Sequence, residues 1–346
     1  MPLTELSFLG LVATALITAL LISFVATPVV KSLAQKVGAV DVPKDGRRMH
    51  DHPIPRMGGL AIFLGFTLAV LVFADLTRQL QGMLLGAVII VVLGIFDDIY
   101  ALRASFKFVV QIIAALVAVL YGGNVISVLS NPNIFSSNPW WVLGPLSIPV
   151  TVLWIVAITN AVNLIDGLDG LAVGVSTISS MTLLVIALTV ADWEVAVLMG
   201  ALAGACIGFM PYNLNPAKIF MGDTGSTFLG FVLAVVSIQG LFKFYTIISF
   251  AVPFLMLGLP IFDTAFAFIR RIAHGQNPMS PDRSHVHHRL IDMGFNQKQA
   301  VAVLYVISAI LGLSAVVLTT SGPVKAMLLL LALCFAGAIS ARIFLG

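Results

Sequence analysis

The sequence predicts an all-α polytopic membrane protein of about eleven transmembrane helices, with the N-terminus outside and the C-terminus cytoplasmic. One integral-membrane domain is expected over residues 1–346. Three observations lead there. The chain is 60% hydrophobic and only 10% charged, with a mean hydropathy of +1.08, which excludes an ordinary soluble domain. Apolar runs recur at the roughly 20 residues needed to cross a bilayer. Lys and Arg are divided very unequally between alternate loops.

The runs are centred on residues 8–31, 58–76, 80–96, 106–121, 147–163, 172–190, 195–211, 226–241, 245–269, 300–320 and 323–345. The first is too long for a leader's apolar core and has no small-residue cleavage site, so it reads as a membrane helix. The third and fourth are separated only by a short polar stretch, and misreading them lowers the count to ten. Glycines interrupt several of the runs, which membrane helices tolerate. The ninth carries Pro253 and Pro260 and is long enough to bend and frame a groove for a lipid tail; an ordinary kinked, tilted helix is the plainer reading.

With eleven spans, fifteen of the 18 Lys and Arg fall in one set of loops, and only Arg78, Lys243 and Lys325 in the other. That asymmetry places the first set in the cytoplasm. The net charge of +3 therefore reflects topology and does not indicate nucleic-acid binding. Eleven of the 15 acids and all six histidines share the cytoplasmic side, so any chemistry belongs there. Cys206 and Cys334 sit in separate apolar runs and form neither a disulfide nor a metal pattern.

Five cytoplasmic stretches carry the polar residues. Asn160, Asn163, Asp166 and Asp169 follow one another at intervals of three in NAVNLIDGLDG, directly behind an apolar run. Residues so spaced share a helix face, and capping of the next helix accounts for only one or two of them. Asp97 and Asp98 are adjacent at the cytoplasmic end of the third span. Neighbouring carboxylates repel, and a helix C-terminus disfavours both. Either they are a helix-end pair balanced by Arg103, or they serve a metal or accept a proton. HPIPRMGG, with Arg56, is a rigid basic segment that reads as a surface anchor or as an anion-binding lip. Asp223 opens the eighth span in FMGDTGS, as a helix cap or as a carboxylate beside an anion site. The last loop holds Arg283, His285, His287, His288 and Arg289, a cluster suited to phosphate; its interleaved arginines disfavour zinc. Gathered on one face, these groups point to phosphoryl chemistry with Mg²⁺ held by carboxylates and substrate phosphates.

In their order, HPIPRMGG, GIFDD, NAVNLIDGLDG, FMGDTGS and DRSHVHHRL resemble the polyprenyl-phosphate N-acetylhexosamine-1-phosphate transferases, and the match covers almost the whole chain. The resemblance implies transfer of a sugar-1-phosphate from a UDP-activated amino sugar to undecaprenyl phosphate, with release of UMP. It implies Asp223 as a Mg²⁺ ligand, with Asn163 as a second and Mn²⁺ as a substitute ion. Asp97 and Asp98 match the family's paired acids. Asp166, Asp169, Asn213 and Phe220 match nucleotide-binding positions, and His285, His287, His288 and Arg289 match the sugar- and phosphate-binding loop. The branch that uses UDP-MurNAc-pentapeptide carries Pro-Leu and three consecutive histidines, whereas His-Val-His-His-Arg-Leu resembles the N-acetylglucosamine-1-phosphate branch. The muramyl branch also tends to carry Lys where this chain has Ala101, so any role of that lysine passes to Arg103 or Lys107 or is absent. The expectation is a bacterial plasma-membrane (inner-membrane) enzyme acting on UDP-N-acetylglucosamine and undecaprenyl phosphate in the lipid bilayer, with another UDP-sugar as the alternative; the resemblance implies a homodimer. A secondary transporter is the rival from a different class, disfavoured because the acids cluster at the cytoplasmic ends and away from the midplane.

Overall fold

Apolar runs in lipid become helices because the backbone must satisfy its own N–H and C=O groups there. The computed structural model of the chain describes residues 5–43, 52–130, 140–240, 251–273, 275, 285–320 and 329. In chain order the helices are α1 (Glu5–Lys36), α2 (Gly59–Phe73), α3 (Arg78–Tyr100), α4 (Ala104–Leu116, running on into a π-turn), α5 (Ser147–Leu164), α6 (Leu171–Thr189), α7 (Trp193–Asn213), α8 (Gly222–Gly240), α9 (Ala251–Met256), α10 (Gly258–Ala273), α11 (Val286–Asp292) and α12 (Gln297–Thr320). Among the described residues, seven are long and apolar enough to cross a membrane: α1, α3, α4 with its π-turn, α5 with the turn before it, α6, α7 and α12. The third and fourth runs are thus separate helices. α2 is apolar but has 15 residues. The expected last span, 323–345, lies outside the described residues except for Leu329, which packs on the core.

Two short antiparallel ribbons accompany the helices: β1 (Val40–Asp41) with β2 (Ile54–Pro55), and β3 (Val128–Ser130) with β4 (Trp140–Val142). Neither had a signal in the hydropathy pattern.

α8 is the centre of the bundle. Every residue of it except Asp223 is buried, as expected of a helix that is apolar or small on all sides. α3 and α5 flank it, and α2 and α6 complete its surround, while α1 packs outside on α2 and α7. At its first turn the approach is backbone to backbone. A Cβ on Gly59 would overlap the backbone of Gly225, and one on Gly94 would overlap that of Thr224. Small residues permit this closeness in membrane helices. On the outside, α1 exposes Ile17, Leu21, Val25 and Val29, a face that suits lipid.

The ninth run is bent at Leu257, whose N–H donates to Pro253 (3.0 Å) and whose carbonyl accepts from Ile261 N–H (3.1 Å). Residues 241–250 lie outside the described set, and the remainder forms α9 and α10, divided at Leu257. Pro260 has no N–H to give the Met256 carbonyl, and Ser179 Oγ donates to that carbonyl instead at 2.9 Å. The bend is therefore supported from α6.

Candidate active site

A cavity of about 480 Å³ opens where α3 and α5 end and α8 begins. Its first wall is built by the β1–β2 ribbon. Arg56 N–H donates to the Ala39 carbonyl (2.8 Å), Phe220 N–H to Pro55 (2.8 Å), and Gly58 N–H to Phe220 (2.9 Å). The basic segment and the FMGDTGS segment are thereby tied together, which puts Arg56, Phe220 and Asp223 on one rim. Burial alone would lower the Arg56 pKa, but the carboxylates of Asp98, Asp223 and Asp41 outweigh it and hold the guanidinium firmly charged.

Lys107 is the centre of the charged network. Its ammonium donates to Asp223 Oδ2 at 2.7 Å and to Asp97 Oδ2 at 2.9 Å. Arg56 Nη2 stands 3.8 Å from the other Asp223 oxygen. Asp97 Oδ1 also accepts from Leu102 N–H (2.7 Å), just past the end of its own helix. Asp98 turns the other way, onto α8: its oxygens accept from Asp223 N–H (3.0 Å), Thr224 N–H (3.1 Å) and the Thr224 hydroxyl (2.7 Å). Lys107 and Asp223 line the cavity; neither Asp97 nor Asp98 does.

The three-residue ladder divides. α5 ends at Leu164, so the shared helix face does not extend to the two aspartates. Asn160 points to a neighbouring helix, where its Nδ2 donates to Gln111 Oε1 at 2.6 Å. Asn163 lines the cavity and accepts from the Ser226 hydroxyl of α8 at 2.6 Å. Asp166 and Asp169 follow on the turn that leads to Gly170, whose φ of +79° reverses the chain. Burial, then the nearby Asp223 charge, pushes the Asp166 pKa up to about 7, against the pull of Arg56. Asp169 Oδ2 accepts from Asn215 Nδ2 (2.9 Å) and Ala217 N–H (3.0 Å), and Asn213 accepts from Gly170 N–H (3.2 Å) and donates to Ile219 (3.0 Å). Both residues thus brace the loops while also lining the cavity.

The histidine stretch closes another side. His288 lines the cavity. His287 packs against Gly167, where any Cβ would overlap its ring. Burial first, then the neighbouring His288, lowers the His287 pKa to about 4, so its imidazole is neutral. His285 Nδ1 pairs with Asp263 Oδ2 at 2.8 Å, and Val286 N–H donates to the other oxygen at 2.8 Å. Arg289 lies over the Phe266 ring at 5.3 Å and does not line the cavity. Arg283 is outside the described residues.

Beside the polar cavity runs an apolar one of about 650 Å³ between α5 and α10. Leu153, Trp154, Ala157 and Ala161 of α5 form one wall, with Ile261, Ala265 and Phe268 of α10 opposite. α5 thus lines the apolar groove along its length and the polar cavity at its end.

Sequence reasoning missed Asp263, although a carboxylate inside an apolar run is costly and signals a partner. It also missed Asp41 and Gln297, both of which line the cavity. Gln297 has no motif around it, and only the docking of α12 brings it there.

Fold and cavity together define a polytopic membrane protein with a charged site at its helix ends. A family model described as glycosyl transferase family 4 matches residues 80–241. A probable undecaprenyl-phosphate N-acetylglucosaminyl 1-phosphate transferase of Bacillus subtilis is 45% identical over 315 residues, covering 90% of this chain and 86% of the relative. A decaprenyl-phosphate N-acetylglucosaminephosphotransferase of Mycolicibacterium smegmatis is 36% identical, covering 91% and 82%. An undecaprenyl-phosphate alpha-N-acetylglucosaminyl 1-phosphate transferase of Yersinia pestis is 29% identical, covering 88% and 84%. The chain belongs to the polyprenyl-phosphate N-acetylhexosamine-1-phosphate transferases, and within them to the N-acetylglucosamine-1-phosphate branch.

Proposed function

We propose that the chain transfers N-acetylglucosamine-1-phosphate from UDP-N-acetylglucosamine to undecaprenyl phosphate, forming undecaprenyl-pyrophosphoryl-N-acetylglucosamine and UMP. One observation carries the reading beyond resemblance: α5 lines the apolar groove with Ala157 and Ala161 and reaches the charged cavity with Asn163. A lipid whose tail lies in that groove brings its phosphate to the cavity where Lys107, Arg56 and His288 stand.

The task of the site is to let two anions meet. Lys107 and Arg56, which the acids hold in their resting arrangement, turn to neutralise phosphate oxygens as substrates enter. His288 donates to the sugar-bearing phosphate, and Asp97 fixes the lysine from the far side. A lipid phosphate with a second pKa near ~6 is mostly dianionic at neutral pH, so no strong base is required. Its oxygen attacks the phosphorus that carries the sugar; the bond from that phosphorus to the bridging oxygen breaks, and its electron pair leaves with UMP.

The cavity suits Mg²⁺, with Mn²⁺ as a substitute. Asp223, Asn163 and Asp166 line one space, and after burial the Asp223 charge is the next cause of the raised Asp166 pKa, a repulsion that a bound cation would relieve. Among the described residues no three His, Cys, Asp or Glu side chains converge as a closed metal site. An open site of one or two protein ligands, completed by substrate phosphates, is what Mg²⁺ takes. Asp223 and Asn163 would hold it, and when bound it supplies charge neutralisation on the diphosphate and on the departing UMP. The uneven distribution of Lys and Arg supports a cytoplasm-facing site in the bacterial plasma (inner) membrane, and the family resemblance supports a homodimer.

The test is UMP release by purified protein with undecaprenyl phosphate, Mg²⁺ and a panel of UDP-sugars. Release is expected with UDP-N-acetylglucosamine, and Asp223→Ala abolishes it while the protein still melts cooperatively. Activity confined to UDP-MurNAc-pentapeptide overturns the sugar assignment. Uptake of a UDP-sugar into proteoliposomes without UMP release overturns the reaction class.

A further inference from the structure

We propose that the adjacent acids at the end of α3 have separate tasks, and that Asp98 is a positioning residue for Asp223: an N-terminal helix cap supplied from a different helix. The proposal rests on the reading above, in which Asp223 faces the reacting phosphates.

The first N–H groups of a helix have no partner within it. They are usually satisfied by a Ser, Thr, Asp or Asn just before the first turn. α8 has no such residue there, because Met221 and Gly222 precede Asp223. Its cap comes across the interface. Asp98 Oδ1 accepts from Asp223 N–H at 3.0 Å, and Oδ2 accepts from Thr224 N–H at 3.1 Å and from the Thr224 hydroxyl at 2.7 Å. Gly222, at φ +70°, passes so close beneath the carboxylate that any side chain there would collide with it. Gly94, one turn before Asp98 on α3, touches the Thr224 backbone in the same way. Two glycines and a threonine are therefore shaped around this one carboxylate.

This arrangement also explains an acid at the C-terminus of α3, where the helix's own field disfavours it. The start of α8 supplies the opposite field, and Arg56 Nε adds a counter-charge at 3.4 Å. With its side chain 0% exposed, Asp98 has no route to a substrate. Asp97 differs in its partners: its oxygens are held by Leu102 N–H and by Lys107, the lysine shared with Asp223. Asp223 is thus fixed at two points, its backbone by Asp98 and its side chain by Lys107. Loss of the first anchor moves the carboxylate as a whole.

The experiment compares wild type with Asp98→Asn, Asp98→Ala and Thr224→Val, each purified in detergent. It reads melting temperature, the stabilisation by Mg²⁺ in the presence of UDP, kcat, and the Mg²⁺ concentration for half-maximal rate. An amide keeps one capping oxygen for an α8 N–H, and its NH2 can donate to the Thr224 hydroxyl, so Asp98→Asn keeps kcat within about tenfold of wild type. Asp98→Ala lowers kcat about 100-fold, as expected for a displacement near 1 Å. Thr224→Val leaves every acid in place but removes one anchor, and costs about tenfold. In the Ala and Val variants the Mg²⁺ requirement rises and the Mg²⁺-induced stabilisation shrinks, which weaker folding alone does not produce. Asp98→Asn with a normal melting temperature but the inactivity of Asp223→Ala overturns the proposal, since the charge itself is then needed. If Asp98→Asn does not fold, Thr224→Val with wild-type kcat and Mg²⁺ requirement overturns it. Wild-type protein that releases no UMP under any condition sinks the functional reading instead.

Discussion

Asp166 shows how the site trades stability for chemistry. It is held to a pKa of about 7 by burial and by the Asp223 charge beside it, so at pH 8 it is ionised against its surroundings. Asp166→Asn removes that penalty. The variant should melt at a higher temperature than wild type at pH 8 and lose activity, and the gain should fade at pH 5, where wild-type Asp166 is itself protonated. His287 gives the opposite window. Its pKa falls to about 4 in the folded protein, below the usual value near ~6.5. The unfolded chain therefore binds the extra proton first, and folding stability drops as pH falls from ~6.5 toward ~4. Melting temperatures measured across that range should decline for wild type and decline less for His287→Gln.

At the scale of elements, two docked pieces set the cavity: the start of α8 and the short α11. The second reaches the site because Gly167 has no side chain where the His287 ring lies, and because Asp263 of α10 holds both His285 and the Val286 N–H. Gly167→Ala forces the ring aside. Expected is a fall in kcat of about 100-fold with the fold retained, the usual cost of a shift near 1 Å in a reacting constellation; steady-state kinetics alongside a melting curve check it. The bend between α9 and α10 belongs here too. It frees α10 to face α5 across the groove while Ser179 satisfies the released Met256 carbonyl.

The whole molecule places a polar cavity and an apolar groove along one helix, α5. Ala157 lies on the groove wall and does not line the charged cavity. Ala157→Trp fills the groove, so the KM for undecaprenyl phosphate should rise at least about tenfold, with that for UDP-N-acetylglucosamine near its wild-type value. Equal changes in both would mean that the groove does not hold the lipid.

Much of this was legible in the chain itself. Composition and the spacing of apolar runs determined a membrane bundle, because lipid leaves the backbone no alternative to helices. Paired acids, the ladder and the histidine stretch marked the segments that surround the cavity, because polar groups beside apolar runs are costly without a purpose. Spacing could not assign their directions. Asn160, in step with Asn163, turns to Gln111; Asp98, next to Asp97, caps α8; Arg289, next to His288, lies on Phe266. Asp41 and Gln297 entered the cavity without any local signal. A motif records which residues are polar, whereas the partner of each is chosen by helices far apart in sequence, and in a close-packed bundle that choice exists only once the tertiary structure has formed.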